Sequence, residues 1–210
     1  MNCRILGVTV EPMPADELHV PLPPFDPSTF DELIAGADSG DPGAIEALFR
    51  ELQPRLLRFL RSQESRAAED IAAEVWLAVA NGISRFEGDW SDFRAWVFGI
   101  ARKRLADHRR TAVRRRTDVV DMETFEHHFA SDAPEAETLD KMSGQDAAIL
   151  IGSMLNSDQA EVLLLRVLAD LDVDQVASLM QRSPNWVRVT QHRALSTLEK
   201  RLGPKIVVMQ

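Results

Sequence analysis

Apolar residues recur along most of the chain at the three- and four-residue spacing of amphipathic helices. No stretch shows a convincing alternation of apolar and polar residues with the β-branched enrichment of a strand. A helix is predicted from about Asp92 to Arg110, and at 100° per residue one of its sides is apolar: Phe93, Trp96, Val97, Ile100 and Ala101. The opposite side is largely basic: Arg102, Lys103, Arg109 and Arg110. We expect one side to pack in a core and the other to meet phosphate, although a merely solvated basic face is the alternative.

The last third of the chain has the pattern of a helix–turn–helix. Residues 162–168 are apolar on nearly every side, which predicts a central helix, and a second helix and a polar turn precede a third that starts at Pro184. In this third helix the predicted inward side is Val187, Thr190, Ala194 and Leu198, and the outward side is Asn185, Arg188, Val189, His192 and Arg193. Arginine, asparagine and small apolar side chains suit base edges in the major groove. An ordinary three-helix packing unit is the alternative.

Several helix starts are indicated by capping residues. Side-chain oxygens are placed to accept from exposed backbone N–H groups at Thr29 (with Glu32), Asp41, Ser91, Asp172 (with Gln175) and Ser183.

Two segments lack a helical period and divide the chain. Residues 1–27 contain six prolines, and residues 117–145 are rich in carboxylates with few apolar side chains. We therefore predict an all-α fold of two small helical domains joined by an acidic flexible linker. Residues 1–27 form a disordered extension, 28–116 the first domain, 117–145 the linker and 146–204 the helix–turn–helix domain.

The charge distribution changes the meaning of the acidic composition. The 210-residue chain has a formal net charge of −9, yet eight Lys and Arg side chains and only one acid, Asp107, lie between Arg102 and Arg116. This segregation predicts a surface that binds a polyanion. Cys3 is the single cysteine, which excludes an intramolecular disulfide, and no apolar run approaches the ~20 residues of a membrane span. With no secretory signal pattern either, we expect a cytoplasmic protein without membrane insertion.

Candidate catalytic chemistry is sparse. Glu69, Asp70 and Glu74 could hold Mg²⁺ in a helical nuclease, but no further carboxylate motif accompanies them, so a solvated or partner-binding face is the favoured interpretation. His127, His128 and Cys3 lack metal-ligand spacing. No phosphate-binding loop or nucleophile elbow is present. We expect no catalysis, cofactor, metal or small-molecule substrate.

In this order, the motifs resemble the extracytoplasmic-function group of the bacterial sigma-70 family. The stretch from Gly40 to Phe49 is similar to the start of the family's second conserved region, and Ala68 to Glu74 is similar to its polymerase-docking helix. The stretch from Phe93 to Asp107 resembles the helix that opens the −10 element, and Trp186 to Ala194 resembles the helix that reads the −35 element. The sequence departs from the family's usual residues at Lys103, Ala73, Met180-Gln181, Trp186 and Gln191. The departure at Lys103 leaves the preferred −10 base open, and the last three leave the fit of the last helix open.

The resemblance implies partners and site residues. Core RNA polymerase would be bound by Glu69, Asp70 and Glu74, and an anti-sigma factor is expected to inhibit the protein. Promoter DNA at the −10 element would be contacted by Phe86, Trp90, Arg102, Lys103, Arg109 and Arg110, although Phe86 and Trp90 are equally well explained as core residues. The −35 element would be contacted by Arg182, Asn185, Trp186, Arg188, Val189, His192 and Arg193. A free-standing helix–turn–helix regulator is the alternative function.

Overall fold

The computed structural model describes residues 3–5, 8–10, 25–118 and 144–202. Within these ranges the regular secondary structure is helical apart from one short hairpin. The first module contains α1 (Phe30–Asp38), α2 (Pro42–Gln63), α3 (Ala68–Gly82) and α4 (Trp90–Asp118). The second contains α5 (Gly144–Met154), α6 (Ser157–Val167), α7 (Val173–Met180) and α8 (Pro184–Leu202). The predicted all-α class is confirmed. The predicted acidic linker lies outside the described residues, except that α4 extends to Asp118 and α5 begins at Gly144.

The helix starts follow local capping chemistry, with two shifts from the prediction. The carboxylate of Asp41 accepts from the backbone N–H of Ala44, and Asp172 and Gln175 form the complete capping box. Thr29 makes no capping bond, because a 3₁₀ turn at Pro27–Thr29 precedes α1 and Asp26 caps that turn. Ser91 is likewise inside α4. The carboxylates of Asp89 and Asp92 instead accept from each other's backbone N–H at 2.9 and 3.2 Å.

An aromatic cluster holds the first module together. Phe93 is fully buried at its centre, and its ring contacts Phe30, Phe86, Trp90 and Trp96 with centroid separations of 5.2 to 6.0 Å. Aromatic pairs at these distances stabilise a core beyond the area they bury. The remaining apolar side of α4 continues this core through three residues without solvent exposure: Val97, Phe98 and Ala101. The apolar side predicted for this helix is thus the packed side.

The second module is a three-helix unit with α5 packed beside it. The central helix α6 has four buried residues in succession, Val162 to Leu165, as its unbroken apolar pattern predicts. The inward side predicted for α8 is confirmed, since Val187, Thr190, Ala194 and Leu198 are all buried. Between α7 and α8, Gln181 adopts the left-handed conformation with φ of 52° in place of the glycine that usually ends such a helix.

The amino-terminal segment contains a feature that the sequence analysis missed. Cys3–Ile5 and Val8–Val10 pair as antiparallel strands, and the first strand lies beside α3. The prediction of a wholly unfolded extension is therefore wrong for these residues. The strands are short and carry the β-branched residues Ile5, Val8, Thr9 and Val10, which favour extended pairing. The six prolines of residues 1–27 favour an irregular segment and hide this short strand pattern in the sequence.

The two modules pack against each other. Helix α5 lies along α2, and α7 lies against α4, so that the buried apolar residues of both modules form one continuous cluster. Among the described residues, no helix is both long enough and apolar enough to cross a lipid bilayer.

Candidate nucleic-acid interface

The basic side of α4 is only partly open to solvent. Lys103, Arg109 and Arg110 are exposed, as predicted. The guanidinium of Arg109 donates to the backbone and side-chain oxygens of Gln63, at 3.2 and 3.0 Å, and Arg110 pairs with Asp107 at 2.8 Å. Lys103 has no ion-pair or hydrogen-bond partner among the described side chains. Arg109 and Arg110 are therefore held only by exposed, replaceable contacts, and all three cations can meet a phosphate backbone.

Arg102 has a different environment from its three neighbours. Its Nε lies 2.6 Å from Oε1 of Glu161 on α6, and its Nη1 donates to the backbone O of Leu179 on α7. Only 25 % of the Arg102 side chain and 16 % of the Glu161 side chain are accessible. In this arrangement Arg102 binds the second module and is not presented to an external ligand.

Phe86 and Trp90 both belong to the aromatic cluster. Phe86 contacts Phe30 edge-on at 6.2 Å, and Trp90 stacks on Phe93 at 6.0 Å. Each ring nevertheless keeps part of its surface exposed. Both side chains therefore lie in the packed core, which is one of the two interpretations of these residues. Because each ring stays partly exposed, contact with a base remains a prediction.

The acidic side of α3 faces outward. Glu69, Asp70 and Glu74 are exposed, whereas Ile71, Ala72 and Val75 on the other side of the helix are buried. Glu69 pairs with Arg61 of α2 at 2.5 Å, and this hydrogen bond holds the pKa of the Glu69 carboxyl below its usual range. Glu74 lies 3.8 Å from Arg104 of α4. Arg104 lies close to the apolar side of its helix, yet 40 % of its side chain stays accessible and reaches the exposed Glu74.

The described residues contain no group of three or more His, Cys, Asp or Glu side chains placed to hold a metal ion. The three carboxylates of α3 therefore do not converge on a metal site.

The outward side of α8 is open along its first three turns. Asn185, Arg188, Val189, His192 and Arg193 are all exposed, and Ser183 caps the helix by accepting from the backbone N–H of Trp186 at 3.2 Å. The guanidinium of Arg182 lies 5.4 Å from the centre of the half-buried Trp186 ring. This cation–π contact holds Arg182 beside the amino-terminal end of α8. The structure thus brings all seven residues predicted for this surface to one end of the second module.

Sequence reasoning missed the residues that join the modules. Arg94 is only 8 % exposed, lies over the Trp90 ring and pairs with Asp170 at 2.5 Å. The side chains of Ser91 and Gln175 hydrogen-bond at 3.0 Å. Each pair is separated by 76 or 84 positions in the chain, so no local signal connects its members.

Comparison with known families decides between the two functions left open by the sequence. Residues 48–115 match the model of sigma-70 region 2, and residues 153–198 match the model of sigma-70 region 4. The extracytoplasmic-function RNA polymerase sigma factor ShbA of Streptomyces griseus is 35 % identical over 79 % of this chain and 91 % of its own length. The chain belongs to the sigma-70 family, in its extracytoplasmic-function group. The sigma factor SigD of Mycobacterium tuberculosis is 31 % identical over 80 % of this chain and 82 % of its own.

The sigma factor therefore serves promoter-specific initiation of transcription by RNA polymerase, and the resemblance seen in the sequence is confirmed. Two solved structures share its fold. CnrH, in complex with the cytosolic domain of CnrY, gives a TM-score of 0.54 at 19 % identity and covers 80 % of this chain and 94 % of that one. RpoE of Bartonella quintana, in complex with the anti-sigma factor NepR, gives 0.53 at 22 % identity and covers 74 % and 96 %.

Proposed function

We propose that this sigma factor contacts promoter DNA through two surfaces, one on each module, and core polymerase through a third. The observation that carries the proposal is the position of the charged residues. The exposed cations of α4, the outward side of α8 and the acidic side of α3 are three separate surfaces, each backed by a buried apolar side of its own helix.

The first surface engages the −10 element. Lys103, Arg109 and Arg110 bind phosphates, joined by Arg102 when it is accessible, and the partly exposed rings of Phe86 and Trp90 stack on unpaired bases. A base extruded from a duplex needs an aromatic platform and backbone cations, with no bond broken in the protein.

The second surface reads the −35 element. Arg188, Asn185 and Val189 face base edges in the major groove, while Arg182, His192 and Arg193 meet phosphates and Trp186 holds Arg182 in place. Base-edge contacts supply sequence preference, whereas phosphate contacts fix the position of the helix on the duplex.

The third surface binds core polymerase. Glu69, Asp70 and Glu74 present three carboxylates to one partner, with Glu69 oriented by Arg61.

Reversing all three charges is expected to reduce affinity for core polymerase at least tenfold in a pull-down titration and to leave the helical circular dichroism spectrum unchanged. A matched control is the triple reversal of Asp31, Glu32 and Asp38, which are equally exposed on α1. Unaltered core affinity in the first variant would reject this surface.

DNA binding by the whole chain is tested by gel shift. We expect specific promoter retention with core polymerase present and little without it, since the polymerase is needed to place the two DNA-binding surfaces. Equal specificity without polymerase would favour a free-standing regulator.

We further propose that the protein has no catalytic activity of its own and acts in the cytoplasm beside the polymerase. Incubation of DNA with Mg²⁺ and the purified chain should give no cleavage. Cleavage that disappears in Glu74→Gln would instead establish a nuclease.

Because RpoE of Bartonella quintana was solved with an anti-sigma factor, we propose that an inhibitor of this class also binds the present chain.

A further inference from the structure

The second module has an open hollow between the start of α6 and the outward side of α8. Its volume is about 360 Å³, and its walls include Ser157 and Asp158 from the first turn of α6 and Trp186, Thr190 and Arg193 from α8. All of these residues belong to the second module, so the hollow is formed within that module alone. None of the α6 residues has been assigned to any of the three surfaces proposed above.

The start of α6 supplies backbone donors to this hollow. The side chain and the backbone O of Asn156 accept from the backbone N–H groups of Gln159 and Ala160, each at 2.9 Å. The N–H groups of Ser157 and Asp158 have no acceptor among the described residues. The first N–H groups of a helix carry partial positive charge and are a common seat for phosphate oxygens.

Two side chains of α8 add further donors. Thr190 lines the hollow and is only 8 % exposed, yet its hydroxyl makes no hydrogen bond with any other described residue. A buried hydroxyl without a partner is costly, so its position indicates a ligand that supplies the missing oxygen. Arg193 lies three positions further along the same side of α8, and its guanidinium has no ion-pair or hydrogen-bond partner among the described residues.

We propose that this hollow binds one backbone phosphate of the promoter duplex beside the −35 element. The N–H groups of Ser157 and Asp158, the hydroxyl of Thr190 and the guanidinium of Arg193 donate to its oxygens. The inference rests on the proposed −35 role of α8, whose outward side borders the hollow. Such a contact carries no sequence preference of its own and fixes the position of α8 in the groove.

The carboxylate of Asp158 gives the proposal a gain of affinity as its first test. Asp158 is exposed and lines the hollow, so its negative charge opposes a bound phosphate. Asp158→Asn should therefore bind the promoter roughly two- to fivefold more tightly, as expected for one charge at a helix start. Asp31→Asn is the matched control, because Asp31 is exposed at the same second position of α1. It should bind as the wild type does, and an Asp158→Asn variant that binds no more tightly would overturn the proposal.

Thr190→Val is the second test, since valine removes the hydroxyl and keeps the branched shape. This variant should bind the promoter about tenfold more weakly, as for the loss of a hydrogen bond to a charged group. Thr197→Val is the matched control on the same helix, because the hydroxyl of Thr197 donates to the backbone O of Arg193 at 2.8 Å. It should bind as the wild type does. A Thr190→Val variant with full affinity would contradict the assigned phosphate contact.

The phosphate itself is located by neutralising the DNA. Each backbone phosphate of the −35 duplex is replaced in turn by an uncharged methylphosphonate, and affinity is measured for the sigma factor bound to core polymerase. At one position the replacement should weaken binding of the wild type and cost markedly less in Thr190→Val, because both changes remove the same contact. Equal losses in the two proteins at every position would overturn the proposal.

A free phosphate ion is the other source of the same chemistry. Inorganic phosphate is titrated into the free chain while the NMR signals of the Ser157 and Asp158 amides are followed. Shifts of these signals, with no methylphosphonate position that distinguishes Thr190→Val from the wild type, would show that the hollow holds a free ion. That result would overturn the assignment to DNA.

Arg188→Ala separates this inference from the proposed function. If Arg188→Ala removes a −35 base preference while Thr190→Val and Asp158→Asn bind as the wild type does, the phosphate site is wrong and the −35 surface stands. If Arg188→Ala also has no effect, the −35 surface itself is wrong and the phosphate site fails with it.

Discussion

Replacement of Arg188 by alanine tests the −35 surface at a single side chain. Arg188 is exposed on the outward side of α8 and has no ion-pair or hydrogen-bond partner among the described residues. Its truncation therefore breaks no ion pair or hydrogen bond with another described residue. Exposed substitutions of this kind usually change the free energy of unfolding by less than about 0.5 kcal/mol, so the fold should stay intact. A larger loss in the free energy of promoter binding therefore reports a lost contact with DNA.

The expected loss follows from the geometry of a base contact. An arginine that binds the O6 and N7 atoms of guanine contributes about 1–3 kcal/mol of discrimination, which corresponds to a roughly 5- to 150-fold loss of affinity. The assay is binding of the sigma factor with core polymerase to a set of promoters in which each −35 base pair is changed in turn. Arg188→Ala should abolish the preference at one position and leave the others intact.

Arg201→Ala is the matched control, because Arg201 is exposed at the far end of the same helix. It should change affinity little. A loss of equal size on every promoter variant would show that Arg188 binds phosphate, and no loss at all would refute the orientation assigned to α8.

Three further predictions follow from the contacts described above. Phe93→Ala should lower the free energy of unfolding by about 3–5 kcal/mol, because the ring is fully buried among aromatic neighbours; thermal denaturation measures this, and a loss below about 1 kcal/mol would contradict the packing. Lys103→Ala should reduce the salt dependence of promoter binding by about one phosphate contact, seen as a smaller slope of log affinity against log salt, whereas an unchanged slope would place Lys103 away from DNA. The Glu69–Arg61 pair lowers the pKa of Glu69 in the folded state, so the pair's contribution to stability is present above the usual pKa range of glutamate and is lost as the pH falls below that range. A carboxyl titration by NMR should show that the pKa of Glu69 rises in Arg61→Gln. An unshifted pKa of Glu69 in the wild type would contradict the pair.

Much of the fold could be predicted because its determinants are local. The apolar sides of α4 and α8 follow directly from helical periodicity, and capping boxes such as that of Asp172 mark helix starts within four residues of sequence. The two wrong helix starts, at Thr29 and Ser91, have neighbouring aspartates that compete as caps. Residue type alone does not decide between a serine, a threonine and an aspartate one to three positions away.

The contact between the modules could not be predicted in the same way. Arg102 has the position and charge of a DNA-binding residue on its helix, and nothing local distinguishes it from Arg109. Its partner Glu161 lies 59 positions further along the chain. Its pairing depends on how α6 and α7 are placed by their own packing, so periodicity could give the side on which Arg102 lies and not what covers it.

Transcription with purified components tests the central claim most directly. The sigma factor is combined with core polymerase and genomic fragments, start sites are mapped, and the same reaction is run with Lys103→Ala and Arg188→Ala combined. The account predicts discrete starts preceded by two shared sequence elements, with initiation lost in the double variant. Starts that share only one upstream element, or full activity in the double variant, would contradict the assignment of one DNA-binding surface to each module.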